Sequence, residues 1–122
     1  MEAKTKEFYR KQGFSDLTYI QAKSLPVICR KIDSILIAPT GSGKTEASIM
    51  PVLTMIKESN KEHSNGIKAL YITPLRSLNN DVFRRIEKYT SYQGLRLEIR
   101  HGDTSAIKKK KMSDNPPDVL IT

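Results

Sequence analysis

The sequence predicts an α/β fold in which helices flank a mostly parallel sheet, and three observations support this. Short apolar runs alternate with longer segments of helical periodicity, as in consecutive βαβ units. The first predicted strand, Ile32–Ala38, ends in a continuously apolar run, which is typical of a strand buried on both faces of a parallel sheet. The chain's 122 residues have room for one domain with a modest core.

The helices are predicted from apolar side chains at helical spacing and from their capping residues. Gly13 is a natural stop for the first helix, and Thr18 can cap the second. After Lys44, an apolar stripe at positions i, i+3, i+4 and i+7 continues past Pro51, so one helix with a kink at the proline is expected. The predicted helices span residues 4–12, 44–57, 75–90 and 105–111, and between the first two a helical segment from residue 19 to about 24 is expected to restart at Ser24 and continue to residue 30.

Three further strands complete the predicted sheet. The run from Lys68 to Thr73 is apolar and ends at a proline, and the run from Val119 to Thr122 follows a Pro-Pro turn. Residues Leu95–Arg100 alternate strictly between apolar and polar, which indicates a half-exposed strand at the edge of a sheet.

The charge of the chain favours a polyanionic partner. Lysine and arginine number 21 against 13 acidic residues, which gives a net charge of +8, so nucleic acid is the first candidate, and solubility alone is the alternative. The run Lys108–Lys111 fits either a phosphate contact or a solvated helix face. The single cysteine excludes an internal disulfide and suits the cytoplasm. No apolar run approaches the ~20 residues of a membrane span, so no membrane partner is expected.

The stretch from Ile35 to Glu46 is the strongest indication of chemistry. Gly41 and Gly43 permit a positive φ and let successive N–H groups face inward, which makes a concave anion site. A helix beginning near Lys44 adds its N-terminal N–H groups and the positive end of its dipole. The Lys44 ammonium can reach the β- and γ-phosphates of a nucleoside triphosphate, and the Thr45 hydroxyl can bind Mg²⁺.

This stretch has two alternative interpretations. The motif rule requires glycine at its first position, where this chain has Ala38, so a glycine-rich turn with a solvated lysine is one alternative. The predicted strand before the loop and helix after it favour phosphate binding instead. A different P-loop enzyme, such as a small-molecule kinase, would need a substrate lid and an acidic acceptor-binding residue, and neither is identified.

Polar loops also follow the other predicted strands. The loop after Thr73 contains Arg76, Ser77 and Asn79 at the start of a helix, where backbone and side-chain donors can bind phosphates. A second loop begins at Arg100, and the fourth strand ends at Thr122. Because ligands of such sheets bind outside the carboxyl ends of the strands, these loops are expected on the same edge as the phosphate loop.

These stretches together resemble the motifs of superfamily 2 ATP-dependent helicases. Ala38–Glu46 is similar to motif I, and Tyr71–Val82 resembles motif Ia in the form found in the large helicase-related (Lhr-type) group. Arg100–Ser105 is similar to the next loop of that group, and Pro116–Thr122 to the run leading into its Thr-Pro-Glu motif. Phe14–Gln21 resembles the Q-motif region.

The resemblance implies an ATP-driven DNA or RNA translocase with a RecA-like P-loop fold. Lys44 would be the catalytic lysine, Thr45 the Mg²⁺ ligand and Gln21 the adenine contact. The implied ATP-binding residues are Gln21, Thr40, Gly41, Ser42, Gly43, Lys44, Thr45 and Glu46. The implied nucleic-acid-binding residues are Pro74, Leu75, Arg76, Ser77, Asn79, Gly102, Asp103 and Thr122. They would hold the backbone of a single strand or duplex end, independently of sequence and with strong salt dependence.

The resemblance also implies that residues 1–122 form part of a first RecA-like motor domain, with an N-terminal helical region at residues 1–31. Hydrolysis in this family needs an Asp-Glu pair on a later strand and arginines from a second motor domain. The 122 residues contain no Asp-Glu pair. We therefore expect an incomplete sheet with exposed edges, no turnover by this chain alone, and the downstream helicase portions as partners. The alternative is a non-catalytic module that binds nucleotide or nucleic acid.

Overall fold

The described part of the chain confirms the α/β class. The computed structural model contains five α-helices and three β-strands in the residues that it describes, and the strands are parallel. The chain divides into two compact units, Met1–Glu58 and Ser59–Thr122. The structure describes residues 1–59, 66–74, 76–100 and 106–122.

The first unit contains three helices: α1 (Glu2–Lys11), α2 (Tyr19–Cys29) and α3 (Lys44–Ser59). The predicted stripe of α3 is its buried face, which carries Leu53, while Pro51 lies inside the helix. The second helix is continuous through its own proline and does not restart at Ser24 as the sequence suggested. The core of this unit consists of Phe8, Tyr9, Leu25, Ala47, Ile49, Met50, Leu53 and Ile56.

The predicted caps of the first two helices are confirmed. Gly13 follows the C-cap of α1 with φ +92°, a conformation that glycine adopts without a Cβ penalty. Thr18 forms a capping box with Gln21, because each side chain accepts a hydrogen bond from the other residue's backbone N–H. These caps fix the chain between α1 and α2.

The prediction of a strand at Ile32–Ala38 is wrong for this structure. Residues 32–39 have no regular secondary structure and pair with no strand in the described part of the chain. Ile35 and Ile37 are 87% and 86% exposed, although the sequence predicted burial on both faces. The physical reason is that a strand requires hydrogen-bonded neighbours, which apolar composition alone does not supply. This unpaired apolar segment agrees with the expectation of exposed edges.

The second unit is a small parallel sheet with two helices. Its elements are β1 (Ala69–Tyr71), α4 (Arg76–Gln93), β2 (Leu97–Ile99), α5 (Ala106–Asp114) and β3 (Val119–Ile121). The strand order is β1-β3-β2, so β3 lies in the centre and β2 forms an edge. The half-exposed edge strand predicted from Leu95–Arg100 is therefore confirmed. Two further edge residues, Leu70 and Ile72, are exposed apolar side chains.

The register of the sheet aligns its three strands at one level. Ala69, Val119 and Leu97 are paired across the sheet, and so are Tyr71, Ile121 and Ile99. The helix α4 packs against β2, and the buried residues of this unit are Ile86, Tyr89, Thr90, Leu95, Met112, Val119, Leu120 and Ile121.

Asp118 holds the amino ends of all three strands together. One carboxylate oxygen accepts a hydrogen bond from Lys68 Nζ at 3.0 Å, and the other accepts from the Arg96 backbone N–H at 2.9 Å. The Lys68 and Asp118 side chains are only 20% and 16% exposed, so this ion pair is less screened by solvent than a surface pair.

We predict that Asp118→Asn destabilises the second unit by about 1–3 kcal/mol, because it removes a charged acceptor from the partly buried Lys68 ammonium and from the Arg96 backbone N–H. The effect is measured as the shift in the midpoint of urea unfolding. Hydrogen exchange of residues 69–71 and 119–121 reports on the strands of the second unit. The control is Asp114→Asn at the exposed end of α5, which should change the midpoint little. Equal midpoints for the two variants would contradict the role given to Asp118.

Candidate functional site

The loop between Pro39 and Lys44 has the geometry of an anion-binding turn. Gly41 and Gly43 have φ values of +80° and +84°, in the left-handed region that favours glycine. The Ser42 N–H donates to the Pro39 carbonyl at 3.2 Å, which closes the turn. The helix α3 then begins at Lys44, so the loop delivers the chain directly to a helix N-terminus, where the first N–H groups have no intrahelical acceptor.

Two observations show that this loop fits a phosphate group. The Ser42 hydroxyl oxygen is buried and has no hydrogen-bond partner among the described residues, which is costly unless a ligand or water satisfies it. A side chain added at Gly41 would meet nothing within 4 Å, so the loop is open on that side. Lys44 and Thr45 are half-buried, and Thr40 is exposed. The predicted loop residues are therefore brought together in one turn.

Glu46 lies in the first turn of α3 and is buried. Its backbone carbonyl accepts a hydrogen bond of 2.9 Å from the Tyr9 hydroxyl of α1, and this bond is itself buried. The resemblance implies that Glu46 is an ATP-binding residue. In the structure its backbone lies in the first turn of α3, just after the phosphate loop.

Gln21 contacts the same loop from α2. Its side-chain Nε2 donates to the Gly43 carbonyl at 3.2 Å, while its Oε1 accepts from the Thr18 N–H at 3.0 Å. The residue is 1% exposed. A Cβ built on Gly43 would overlap the Gln21 amide nitrogen, so the two residues meet in van der Waals contact. The adenine contact that the resemblance implies for Gln21 stays a prediction.

The carboxyl ends of the three strands meet at one edge of the second unit. The Thr73 N–H donates to the Thr122 carbonyl at 2.9 Å, and the Thr122 N–H donates to the Tyr71 carbonyl at 2.9 Å. On the other side of β3, the Arg100 N–H donates to the Ile121 carbonyl at 2.8 Å. Pro74 is exposed next to this edge, and Thr122 is half-buried within it.

The remaining predicted nucleic-acid residues are placed only in part. Arg76, Ser77 and Asn79 lie in the first turn of α4, so their backbone forms the helix N-terminus that comes next along the chain after β1. Leu75, Gly102 and Asp103 lie outside the described residues. In the Lys108–Lys111 run, Lys109 is half-buried and the other lysines are exposed, which leaves both interpretations of that run open.

Three residues at these sites were not assigned roles from the sequence. Tyr9 lies in the predicted helix over residues 4–12, and its hydrogen bond to Glu46 spans 37 residues, so no local pattern could reveal it. Thr73 follows β1 (Ala69–Tyr71), and its hydroxyl is buried without a hydrogen-bond partner among the described residues. Arg100 is exposed at the end of β2, and its position at a strand end was the signal that could have found it.

The described residues hold no group of three or more His, Cys, Asp or Glu side chains that could bind a metal ion. The Mg²⁺ contact of Thr45 stays a prediction. Within the same residues, no helix has the length and apolarity that crossing a membrane requires.

Comparisons with known proteins agree with the resemblance seen in the motifs. Residues 18–122 match the family model described as DEAD/DEAH box helicase. The chain is 34% identical over 122 residues to the ATP-dependent helicase Lhr-Core of Saccharolobus solfataricus. This alignment covers 92% of this chain and 14% of that protein. The predicted similarity to Lhr-type helicases is therefore confirmed.

Solved structures show the same fold. The structure of Mycobacterium smegmatis helicase Lhr bound to ssDNA and AMP-PNP superposes with a TM-score of 0.77 and 32% identity, covering 97% of this chain and 16% of that one. A hypothetical ATP-dependent RNA helicase from Sulfolobus tokodaii superposes with a TM-score of 0.75 and 26% identity, covering 100% of this chain and 34% of that one. The predicted RecA-like fold is confirmed, and the chain spans about a seventh of the length of the Lhr-Core relative.

Proposed function

The chain belongs to the DEAD/DEAH box helicase family, and we propose that it is the ATP-binding and nucleic-acid-binding segment of an ATP-dependent helicase of the Lhr type. Relatives named as ATP-dependent helicases support the general class. The activity of a whole helicase is part of this proposal, because the matched relatives are much longer than the 122 residues of this chain.

The observation that carries the proposal is the phosphate loop that ends in α3. Two glycines with positive φ, a buried Ser42 hydroxyl without a partner among the described residues, and the N-terminus of α3 together suit a polyphosphate. In the proposed complex the loop amides and the Lys44 ammonium bind the β- and γ-phosphates. The Thr45 hydroxyl binds Mg²⁺, which neutralises phosphate charge when it is present.

The nucleic-acid part of the proposal concerns the strand-end edge of the second unit, which we define as residues Thr73, Pro74, Arg100 and Thr122. The M. smegmatis relative was solved with ssDNA and AMP-PNP, which supports a single-strand site in this group. On this chain, the N-terminus of α4 supplies backbone donors and Arg100 supplies a charged donor at the same edge. Such groups suit phosphate oxygens, and contacts with phosphates do not depend on the base sequence of the nucleic acid.

We further propose that this chain alone binds nucleotide without efficient turnover. Positioning the attacking water and completing the Mg²⁺ site require acidic side chains, and the 122 residues contain no Asp-Glu pair. The phosphate loop by itself supplies binding and charge neutralisation.

Binding of a labelled single strand tests the nucleic-acid part. Fluorescence anisotropy with a short oligonucleotide at several salt concentrations should show affinity falling steeply with salt. Arg100→Ala should make the plot of log K against log salt shallower by about 0.7 in slope, the value of one lost phosphate contact on a single strand. Arg84→Ala, at an exposed position in the middle of α4, is the charge-matched control. Equal losses for both variants would mean that binding is a general effect of positive charge, and the proposed edge would be rejected.

A further inference from the structure

We propose that Tyr9 is a positioning residue for the phosphate loop, acting through the hydrogen bond between its hydroxyl and the Glu46 carbonyl. This inference rests on the proposed function, because it concerns how the same loop is held for a polyphosphate. It assigns a role in nucleotide binding to α1, which the sequence had treated only as a short helix.

The first step of the argument is the geometry of the Tyr9 side chain. Tyr9 is 1% exposed, and its hydroxyl donates to the Glu46 carbonyl at 2.9 Å in a buried environment. A buried tyrosine hydroxyl that lacks a partner costs free energy. The bond therefore couples the position of α1 to the position of the first turn of α3.

The second step is the location of Glu46. In the segment Gly43–Glu46, Lys44 and Thr45 lie between two backbone carbonyl groups. Each of these carbonyl groups accepts a hydrogen bond from a side chain of another helix. At one end, Gln21 Nε2 of α2 donates to the Gly43 carbonyl at 3.2 Å. At the other end, the Tyr9 hydroxyl holds Glu46. The lysine and the threonine are thus fixed from both sides, and displacements well under 1 Å at such positions matter for ligand geometry.

The third step is that the Tyr9 ring has packing contacts that do not depend on its hydroxyl. Its ring makes an edge-to-face contact with Phe14, with centroids 5.6 Å apart and an interplanar angle of 85°. The Phe14 backbone N–H also donates to the Tyr9 carbonyl at 3.0 Å. Because the ring is fixed by these contacts, Tyr9→Phe removes the hydroxyl and keeps the packing of the ring, so the variant isolates the hydrogen bond.

The test compares a ligand that is expected to bind only the phosphate loop with a ligand that has no phosphate to bind there. Inorganic pyrophosphate with Mg²⁺ is the first probe and adenosine is the second, both titrated into the 122-residue chain by calorimetry. Tyr9→Phe should weaken pyrophosphate binding about three- to tenfold, the range of one hydrogen bond, and leave adenosine binding unchanged. Tyr19→Phe, which removes the hydroxyl of an exposed tyrosine in the same unit, should change neither affinity.

The ratio of the two affinities separates positioning from folding. A variant that is partly unfolded loses both ligands in the same proportion, so an unchanged ratio with lower affinities would overturn the positioning role. Equal pyrophosphate affinities for Tyr9→Phe and the unmodified chain would also overturn it. If the unmodified chain binds neither pyrophosphate nor ADP, the proposed function fails first, and this outcome is distinct from the other two.

Discussion

Replacing Gly43 by alanine is expected to abolish detectable binding of ATP and ADP to the chain. Gly43 has φ +84°, where an L-residue costs about 1–2 kcal/mol. The added methyl group would also overlap the Gln21 amide nitrogen, so either the loop or the Gln21 side chain must move. Both changes act on the carbonyl that precedes Lys44, and we expect at least about a hundredfold loss of affinity from the two effects together.

Gly41→Ala is the matched control for this substitution. Gly41 has a similar φ of +80°, but a methyl group there meets nothing within 4 Å. The control therefore has the backbone strain without the steric overlap, and its ADP affinity should fall less. Titration calorimetry of both variants, with circular dichroism to confirm their helix content, measures the difference. Equal affinities for the two variants would contradict the contact between Gly43 and Gln21 as a determinant of the loop.

Lys44→Ala is expected to weaken binding of ADP and ATP by about ten- to a hundredfold, because hydrogen bonds to a charged group contribute about 1.5–3 kcal/mol each. Adenosine has no phosphate, so its affinity should stay the same. Lys57→Ala, in the exposed last turn of the same helix, is the control for loss of a positive charge. In the absence of nucleotide, single-strand binding by Lys44→Ala should equal that of the unmodified chain.

A uniform loss of affinity for ADP, ATP and adenosine by Lys44→Ala would instead indicate that the lysine supports the fold. If Lys57→Ala weakened ADP binding to the same extent, the loss would be a general effect of positive charge, and the specific role of Lys44 would be contradicted. Displacement of a fluorescent ADP analogue by each unlabelled ligand gives these affinities under one set of conditions.

The local features of the phosphate loop were predictable because they are encoded by adjacent residues. Two glycines, a lysine and a hydroxyl before an amphipathic helix specify a turn and a helix N-terminus from local sterics alone. The Thr18 capping box and the Gly13 helix stop are encoded in the same way. Each depends on residues within one helical turn, so tertiary context had little to override.

The strand at Ile32–Ala38 was not predictable in this way. Its apolar composition indicates a buried strand, but a strand exists only where neighbouring strands accept its hydrogen bonds. In the described residues none does so, and Ile35 and Ile37 are exposed. The segment thus has the sequence of a central strand and the environment of a loop.

The roles of Tyr9 and Gln21 are the other features that sequence reasoning could not reach. Both side chains bind carbonyl groups of the phosphate-loop segment, across 37 and 22 residues respectively. The sequence predicts a helix over residues 4–12 but not which acceptor the Tyr9 hydroxyl finds. Gln21 was assigned to adenine by resemblance, and the structure shows in addition that its amide holds the loop.

Hydrogen exchange of the phosphate loop tests the central claim most directly. The claim is that the backbone N–H groups between Thr40 and Glu46 bind the phosphates of a nucleotide. Adding Mg²⁺ and ADP to the chain should slow exchange in a peptide covering residues 39–47, while a peptide covering residues 81–93 of α4 serves as the internal reference. Binding of ADP without any change in the 39–47 peptide would contradict the account.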